Sequence, residues 1–282
     1  MHAVIEDITC QSYVVERVKN DECTAGDIRG GEKVFVTGRT DVGQERQNNE
    51  DCYLIIGIDH TPTLFAVADG MGGHSGGEVA SSMAIEKTRA FFLRHRDRLI
   101  ESSRQDVRAF FTHMFEGANR SIWEKALSAE QLKGMGTTLT AAVLTREGLH
   151  IGHIGDSRAY IIRSQEISQV TEDHSYVQKL VNENQLQAGE EKNHPKQNLL
   201  IRALGTDRVV EVDIYHHSLE KMDRVLLCTD GLTRMVSDEE ILDIVISCSV
   251  PEAVDRLIST ANTRGGPDNI TVLLAELNSE SE

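Results

Sequence analysis

At 282 residues the chain is long for one domain, yet within reach of a single β-rich or α/β core. Its 45 acidic against 29 basic residues leave a net charge of −16, which excludes a basic binder of nucleic-acid phosphates or anionic membranes. No apolar run reaches bilayer-spanning length, the N-terminus lacks the pattern of a signal peptide, and the five cysteines form no CxxC pair. A cytoplasmic location with reduced thiols is therefore expected.

Residues 1–33 are mixed and charge-rich, and the turn-like AGDIRGGEK closes them, so they read as an N-terminal extension of no legible role. The domain proper is expected over residues 34–278. Short runs rich in β-branched residues then recur as expected strands: KVFVTG, CYLIIGI, TLFAVAD, GTTLTAAVLT, GLHIGHIGD, RAYIIR, RVLLCTD and NITVLLAEL. Helical patterns fall between them, from Glu78 to about Arg94, Arg104 to about Leu127, Asp238 to Ser247 and Glu252 to Thr263. SDEE at Ser237–Glu240 is a capping box. Strands and helices come in blocks without strict βαβ alternation, which predicts an α+β layered sandwich: antiparallel sheets with helices packed outside.

The aspartates fall in a pattern. Asp69, Asp156 and Asp230 each end a strand-like run, and Asp268 begins one, always beside glycine or small residues. One Asp-Gly pair is ordinary turn chemistry. Four carboxylates at sheet ends, which lie side by side in a folded domain, repel one another unless a positive centre sits among them. Carboxylates and carbonyls are hard oxygen donors, and no His or Cys spacing fits zinc, so Mg²⁺ or Mn²⁺ is the expected ion. Asp69 would supply a carboxylate and Gly70, having no side chain, its carbonyl. The glycines of GMGGHSGGE then let the chain turn away from the site into a helix, with SGGE resembling a second capping box. A nucleotide-phosphate cradle is the rival reading, but neither GxGxxG nor GxxxxGK[ST] is matched. In TDVGQERQNNEDCY, Arg46, Glu50 and Asp51 stand just ahead of a strand. Alone they read as a surface ion pair; beside clustered carboxylates, Arg46 is the fixed cation that grips an anionic substrate.

Six ordered stretches, TDVGQERQNNED, VADGMGGHSGGEVAS, GMGTTLTAAVL, HIGDSRAYIIR, LLCTDGLTRMVSDEEI and GGPDNITVLL, resemble the metal-dependent PP2C (PPM) serine/threonine protein phosphatases in their bacterial form, from about Thr37 to Leu277. The resemblance implies two central antiparallel sheets flanked by helices and a binuclear Mn²⁺/Mg²⁺ site. It implies that Asp69 bridges the metals, Gly70 lends a carbonyl, and Asp230 and Asp268 hold the second ion. Glu50 and Asp51 would act mainly through metal-bound water, Asp156 would hold a third, weaker ion, and Arg46 would bind the phosphate. Catalysis would follow from a metal-bridging hydroxide attacking phosphorus in line, without a phosphoenzyme. Met71 stands where eukaryotic members carry a histidine, which leaves His74 as the candidate general acid beside a metal-bound water or a merely structural histidine. Residues 171–205 match the variable flap beside the active site and are expected to select substrates, with a solvated connector as the alternative.

The implied partners are phosphorylated proteins, those of a serine/threonine kinase, acted on by a monomer. Two other classes compete. An interaction module would be signalled by a lost metal aspartate, and none is lost. A small-phosphoester hydrolase would share the chemistry, although an acidic chain offers no broad basic surface for polyphosphates.

Overall fold

The computed structural model describes residues 13–15, 22–25, 32–57, 62–72, 76–100, 102–187, 189–190 and 194–279. Two short strands, β1 (Tyr13–Val15) and β2 (Glu22–Ala25), precede β3 (Glu32–Asp41), β4 (Asp51–Ile56) and β5 (Thr63–Met71). Two long helices follow, α1 (Gly76–His95) and α2 (Arg104–Ser128), then β6 (Gly136–Thr137), β7 (Leu139–Thr145), β8 (Gly148–Ile154), β9 (Arg158–Arg163) and β10 (Glu166–Gln169). The short α3 (Tyr176–Asn182) leads towards β11 (Asp213–His217) and β12 (Arg224–Cys228). The order ends with α4 (Asp230–Thr233), α5 (Asp238–Ser247), α6 (Val250–Thr263) and β13 (Ile270–Ser279).

The strands form two sheets, one in the order β1-β4-β5-β7-β8-β11 with β6 on β5, the other in the order β10-β9-β12-β13-β3-β2. Every pairing is antiparallel except the parallel edge pair β1–β4. Alternation along the strands explains the layering. In β4 and β5, Leu54, Ile56, Leu64 and Ala66 face a core shared with Phe92 of α1 and Phe111 and Phe115 of α2. Their neighbours Tyr53, Ile55, Phe65 and Val67 face the other way, into a core shared with Val34, Val36, Leu273 and Ala275 of the second sheet. On the far face of that sheet, Leu226, Cys228, Val272 and Leu274 pack against Ile241 and Val245 of α5 and Val254 and Leu257 of α6. With both faces of each sheet covered, the central strands read as continuous apolar runs, and the result is the expected α-β-β-α sandwich.

The helices match their expected limits within a few residues, and the Ser237–Glu240 box closes as read. Two further capping boxes, Ser103 with Asp106 and Ser249 with Glu252, fix the starts of α2 and α6. The SGGE box lies outside the described residues, because Ser75 does. Strands β10 and β11 are additions to the sequence reading. Both are edge strands with no fully buried residue, so neither carries a strong apolar alternation. Of the segment read as an extension, Tyr13–Val15 pairs with Leu54–Ile56 and Glu22–Ala25 with Val34–Thr37, giving each sheet an edge strand. Runs of three and four residues are too short to announce themselves. Among the described residues no helix is long and apolar enough to cross a membrane.

Candidate metal centre

The site is the polar end of the core between the two sheets. Moving outward along the inter-sheet face of β5, Phe65 and Val67 give way to Asp69; along β4, Ile55 and Tyr53 give way to Asp51. The register sets Asp51 directly opposite Asp69, a like-charge cross-strand pair that an ordinary sheet avoids. Asp230 follows β12 as the first residue of α4, Asp268 lies two residues before the start of β13, and Asp156 follows β8.

One cleft is lined by Arg46, Glu50, Asp69, Gly70, Asp156, Asp230 and Asp268, so the structure brings together all but two of the residues singled out from the sequence. Asp51 lies beneath the wall, 1% exposed, with its carboxylate accepting from the Thr229 hydroxyl at 2.8 Å and the Thr271 hydroxyl at 2.7 Å. His74 lies outside the described residues.

The glycines are explained by close backbone approach. A Cβ on Gly70 would stand 2.2 Å from the Gly77 carbonyl oxygen and 2.6 Å from that of Glu50, and one on Gly77 would stand 2.8 Å from the Glu50 carboxylate. The start of α1 is thereby seated directly on the strand end that carries Asp69. Asp69 itself is pinned by the Thr pair of GMGTT: its N–H donates to Thr138 Oγ1 at 2.9 Å, and its carbonyl accepts from Thr137 Oγ1 at 2.8 Å and from the Thr138 N–H at 2.9 Å.

Asn269 holds the loop that carries Arg46. Its side-chain amide donates to the carbonyls of Val42 at 2.9 Å and Asn48 at 3.0 Å, and its Oδ1 accepts from the Glu50 N–H at 2.8 Å. Asn269→Ala removes three part-buried hydrogen bonds to that loop, and we expect a loss of roughly 0.5–1.5 kcal/mol per bond. Thermal unfolding checks this; an unchanged Tm would show that the loop is held elsewhere.

The electrostatics are those of crowded acids. Burial first, and then the charges of Asp51, Asp230, Asp156 and Asp268, push the Asp69 carboxyl well above the ordinary range. Burial and Asp230 push Asp156 up to about 8, and burial likewise pushes Asp51 up to about 8. Asp230 is raised by burial and partly relieved by Arg234. Glu50 is raised by burial and relieved by Arg46. Two guanidinium groups supply the positive charge: Arg234 ion-pairs with Asp230 and approaches Asp268 at 3.4 Å, and Arg46 donates to Asp268 at 3.0 Å.

The donors fit a hard divalent cation. Every candidate donor is a carboxylate or carbonyl oxygen, and Asp230 Oδ1 is buried with no hydrogen-bond partner. Among the described residues no group of three or more His, Cys, Asp or Glu side chains is placed to hold an ion by itself. Water would complete the coordination, as is usual for Mg²⁺.

Sequence reasoning did not assign Arg234, Asn269 or Thr138 to the cleft they line. Arg234 was legible as the i+4 partner of Asp230 on one helical turn. Asn269 and Thr138 lie inside stretches already singled out, but their roles depend on which loop and strand they meet.

Comparison with known proteins is consistent with this geometry. Residues 40–275 match the family described as Protein phosphatase 2C. The chain is 39% identical over 241 residues to the serine/threonine phosphatase stp of Listeria welshimeri, covering 85% of this chain and 94% of that protein. The crystal structure of the Mycobacterium tuberculosis serine/threonine phosphatase PstP/Ppp superposes with a TM-score of 0.77 at 38% identity, covering 87% of this chain and 99% of that one. The catalytic domain of PstP in complex with two manganese ions aligns with a TM-score of 0.75 at 36% identity, covering 88% of this chain and 100% of that one.

Proposed function

The chain belongs to the protein phosphatase 2C family of metal-dependent serine/threonine protein phosphatases, and from that premise we propose how its own residues hydrolyse a phosphoserine or phosphothreonine ester. Its substrates are phosphorylated proteins. The observation that carries the site assignment is the convergence of Arg46 with Asp69, Asp156, Asp230 and Asp268 in one cleft.

Asp69, the Gly70 carbonyl, Asp230 and Asp268 would hold two Mn²⁺ or Mg²⁺ ions, with Glu50 and Asp51 supporting through water and Asp156 holding a third. When bound, such ions lower the pKa of a coordinated water and neutralise phosphoryl charge. Arg46 presents its guanidinium at the mouth of the cleft, 48% exposed, where a phosphate can exchange for Asp268. Its planar fork orients the phosphoryl oxygens and stabilises charge as the ester bond breaks. The Thr137–Thr138 clamp keeps the Asp69 backbone from yielding as charge moves. His74 would give the leaving serine or threonine oxygen its proton; bound ions would otherwise supply it by acidifying water.

The reading carries a monomer in the cytoplasm that opposes a serine/threonine kinase. It is supported by the buried free thiol of Cys228 and by the acidic surface, which favours single phosphorylated residues gripped locally over polyanions.

The test is phosphate release from a phosphothreonine peptide with Mn²⁺ and with a chelator. Activity that requires Mn²⁺ supports the reading. Its absence from a folded, Mn²⁺-loaded chain across a varied peptide panel would overturn it in favour of an interaction module. Arg46→Ala removes a charge-assisted contact, so kcat/KM should fall roughly 10- to 150-fold. Arg46→Lys keeps the charge without the fork and should recover only part of the loss.

A further inference from the structure

Gly155, the residue before Asp156, is held twice by one residue of the flap. Its carbonyl accepts from the His174 backbone N–H at 2.7 Å, and its own N–H donates to His174 Nδ1 at 3.1 Å. The grip matters because Gly155 sits at φ +113°, and a Cβ there would stand 2.5 Å from the Thr138 side chain. Asp156 therefore leaves β8 on a backbone step that a side chain cannot stiffen, and the neighbouring bonds must set its direction.

The imidazole is itself fixed. An Nδ1 that accepts a hydrogen bond carries its proton on Nε2, and Nε2 lies 3.1 Å from Asp213 Oδ2 on β11. Asp213 is in turn paired with Arg202, at the other end of the flap, at 2.8 Å. His174 is 2% exposed, and its ring lies 4.7 Å from that of His153. His153 is anchored to Thr140 Oγ1 at 2.8 Å and to the Glu172 carbonyl at 3.1 Å. Burial, and then the Arg202 charge, holds the His174 pKa below its ordinary value, in keeping with a neutral, accepting ring. The flap is also closed on itself by the Ser175–Leu200 bridge and stapled to the sandwich by the Thr137–Leu204 bridge.

We propose that His174 is the positioning residue that aims Asp156 into the acidic cleft, and that Arg202, Asp213, His174 and Gly155 form one continuous connection from both ends of the flap to the metal site. The proposal rests on the assignment of Asp156 as a metal ligand. It makes the flap more than a substrate selector, because displacing it releases the backbone of a cation-binding residue.

Two substitutions separate positioning from bulk packing. His174→Asn places an amide oxygen near the position of Nδ1 and keeps an acceptor for Gly155, whereas His174→Leu fills the space without one. The first readout is hydrogen exchange of the Gly155 amide without metal or substrate. The second is Mn²⁺ uptake by calorimetry together with the Mn²⁺ concentration that half-saturates activity. His174→Leu should speed Gly155 exchange roughly tenfold, a hydrogen bond's worth of protection. It should also raise the Mn²⁺ requirement about 10-fold or more, as loss of a ligand's orienting partner does. His174→Asn should recover most of both. Wild-type exchange or wild-type Mn²⁺ dependence in the Leu variant, or no recovery with Asn, would overturn the proposal. Should His174→Leu fail to fold, Asp213→Ala on the 30%-exposed edge position removes the Nε2 partner and should shift both readouts in the same direction; no shift would overturn it. A wild-type chain that takes up no Mn²⁺ overturns the metal reading and this proposal together, and calorimetry on wild type alone distinguishes that case.

Discussion

Asp69→Asn and Asp230→Asn each reduce Mn²⁺-dependent phosphatase activity on the order of 10³-fold, while Asp69→Asn in a chelator at pH 8 unfolds at a higher temperature than the wild type. The two halves of this expected result have one cause. Asp69 lies opposite Asp51 in the β4–β5 register and shares the cleft with Asp156, Asp230 and Asp268. Without a cation, a charge at that position is repelled by its neighbours and poorly solvated, so its removal relieves the fold. In the proposed assignment the same charge holds the cations, and asparagine offers a neutral oxygen in its place. The loss of activity is the size expected when a fixed electrostatic element of a reaction is removed. Asp230→Asn separates the causes, because Asp230 is partly neutralised by Arg234 and should gain less stability in the chelator. Kinetics on a phosphothreonine peptide and thermal unfolding with chelator check both halves. A variant that lost activity and also lost stability without metal would indicate a purely structural aspartate.

The second large effect is a pH-dependent response to metal. Asp51 and Asp156 are each raised from 3.8 to about 8, and Asp69 and Asp230 are raised as well, in every case chiefly by burial. Each carboxyl holds its proton to a higher pH in the folded chain than in the unfolded one. Between about pH 4 and pH 8 the folded state therefore binds more protons. Stability from these groups is fully present below the unfolded value and is lost as pH rises through the folded values. In a chelator, Tm should fall steadily from pH 5 to pH 8. Mn²⁺ replaces the protons and stabilises by mass action, about 2.7 kcal/mol at one hundred times its Kd. For a domain of this size that is roughly 5–10 °C, largest near pH 8 and shrinking towards pH 5. Scanning unfolding across pH with Mn²⁺ and with chelator measures it. A Mn²⁺ shift that does not grow with pH would mean that the ion binds away from these acids.

Much of this protein is written locally in its chain. The strands that form both sheets' centres carry uninterrupted apolar runs because both of their faces are covered, and the helices carry caps and periodic faces, so type and order are legible without contacts. Aspartates at the ends of three such runs and the start of another point to a carboxylate cluster, because strand ends meet at sheet ends. What the sequence could not supply is whatever depends on register or on a partner distant in the chain. Asp51 looked like a cleft acid, yet the opposing hydroxyls of Thr229 and Thr271 place it beneath the wall. Asn269 became a loop clamp only when β13 brought it beneath Val42 and Asn48. The edge strands β10 and β11 have weak patterns because solvent tolerates any polar residue there. The sequence by itself determined the central strands, the long helices, the layering and the oxygen-donor chemistry, because short-range periodicity and residue type encode them. Tertiary structure alone decided that Asp51 lies beneath the cleft wall, that Asn269 clamps the loop carrying Arg46, and how His174 and Asp213 tie the flap to Gly155. Those relations are set by the angle and stagger at which two sheets meet, which no local pattern records.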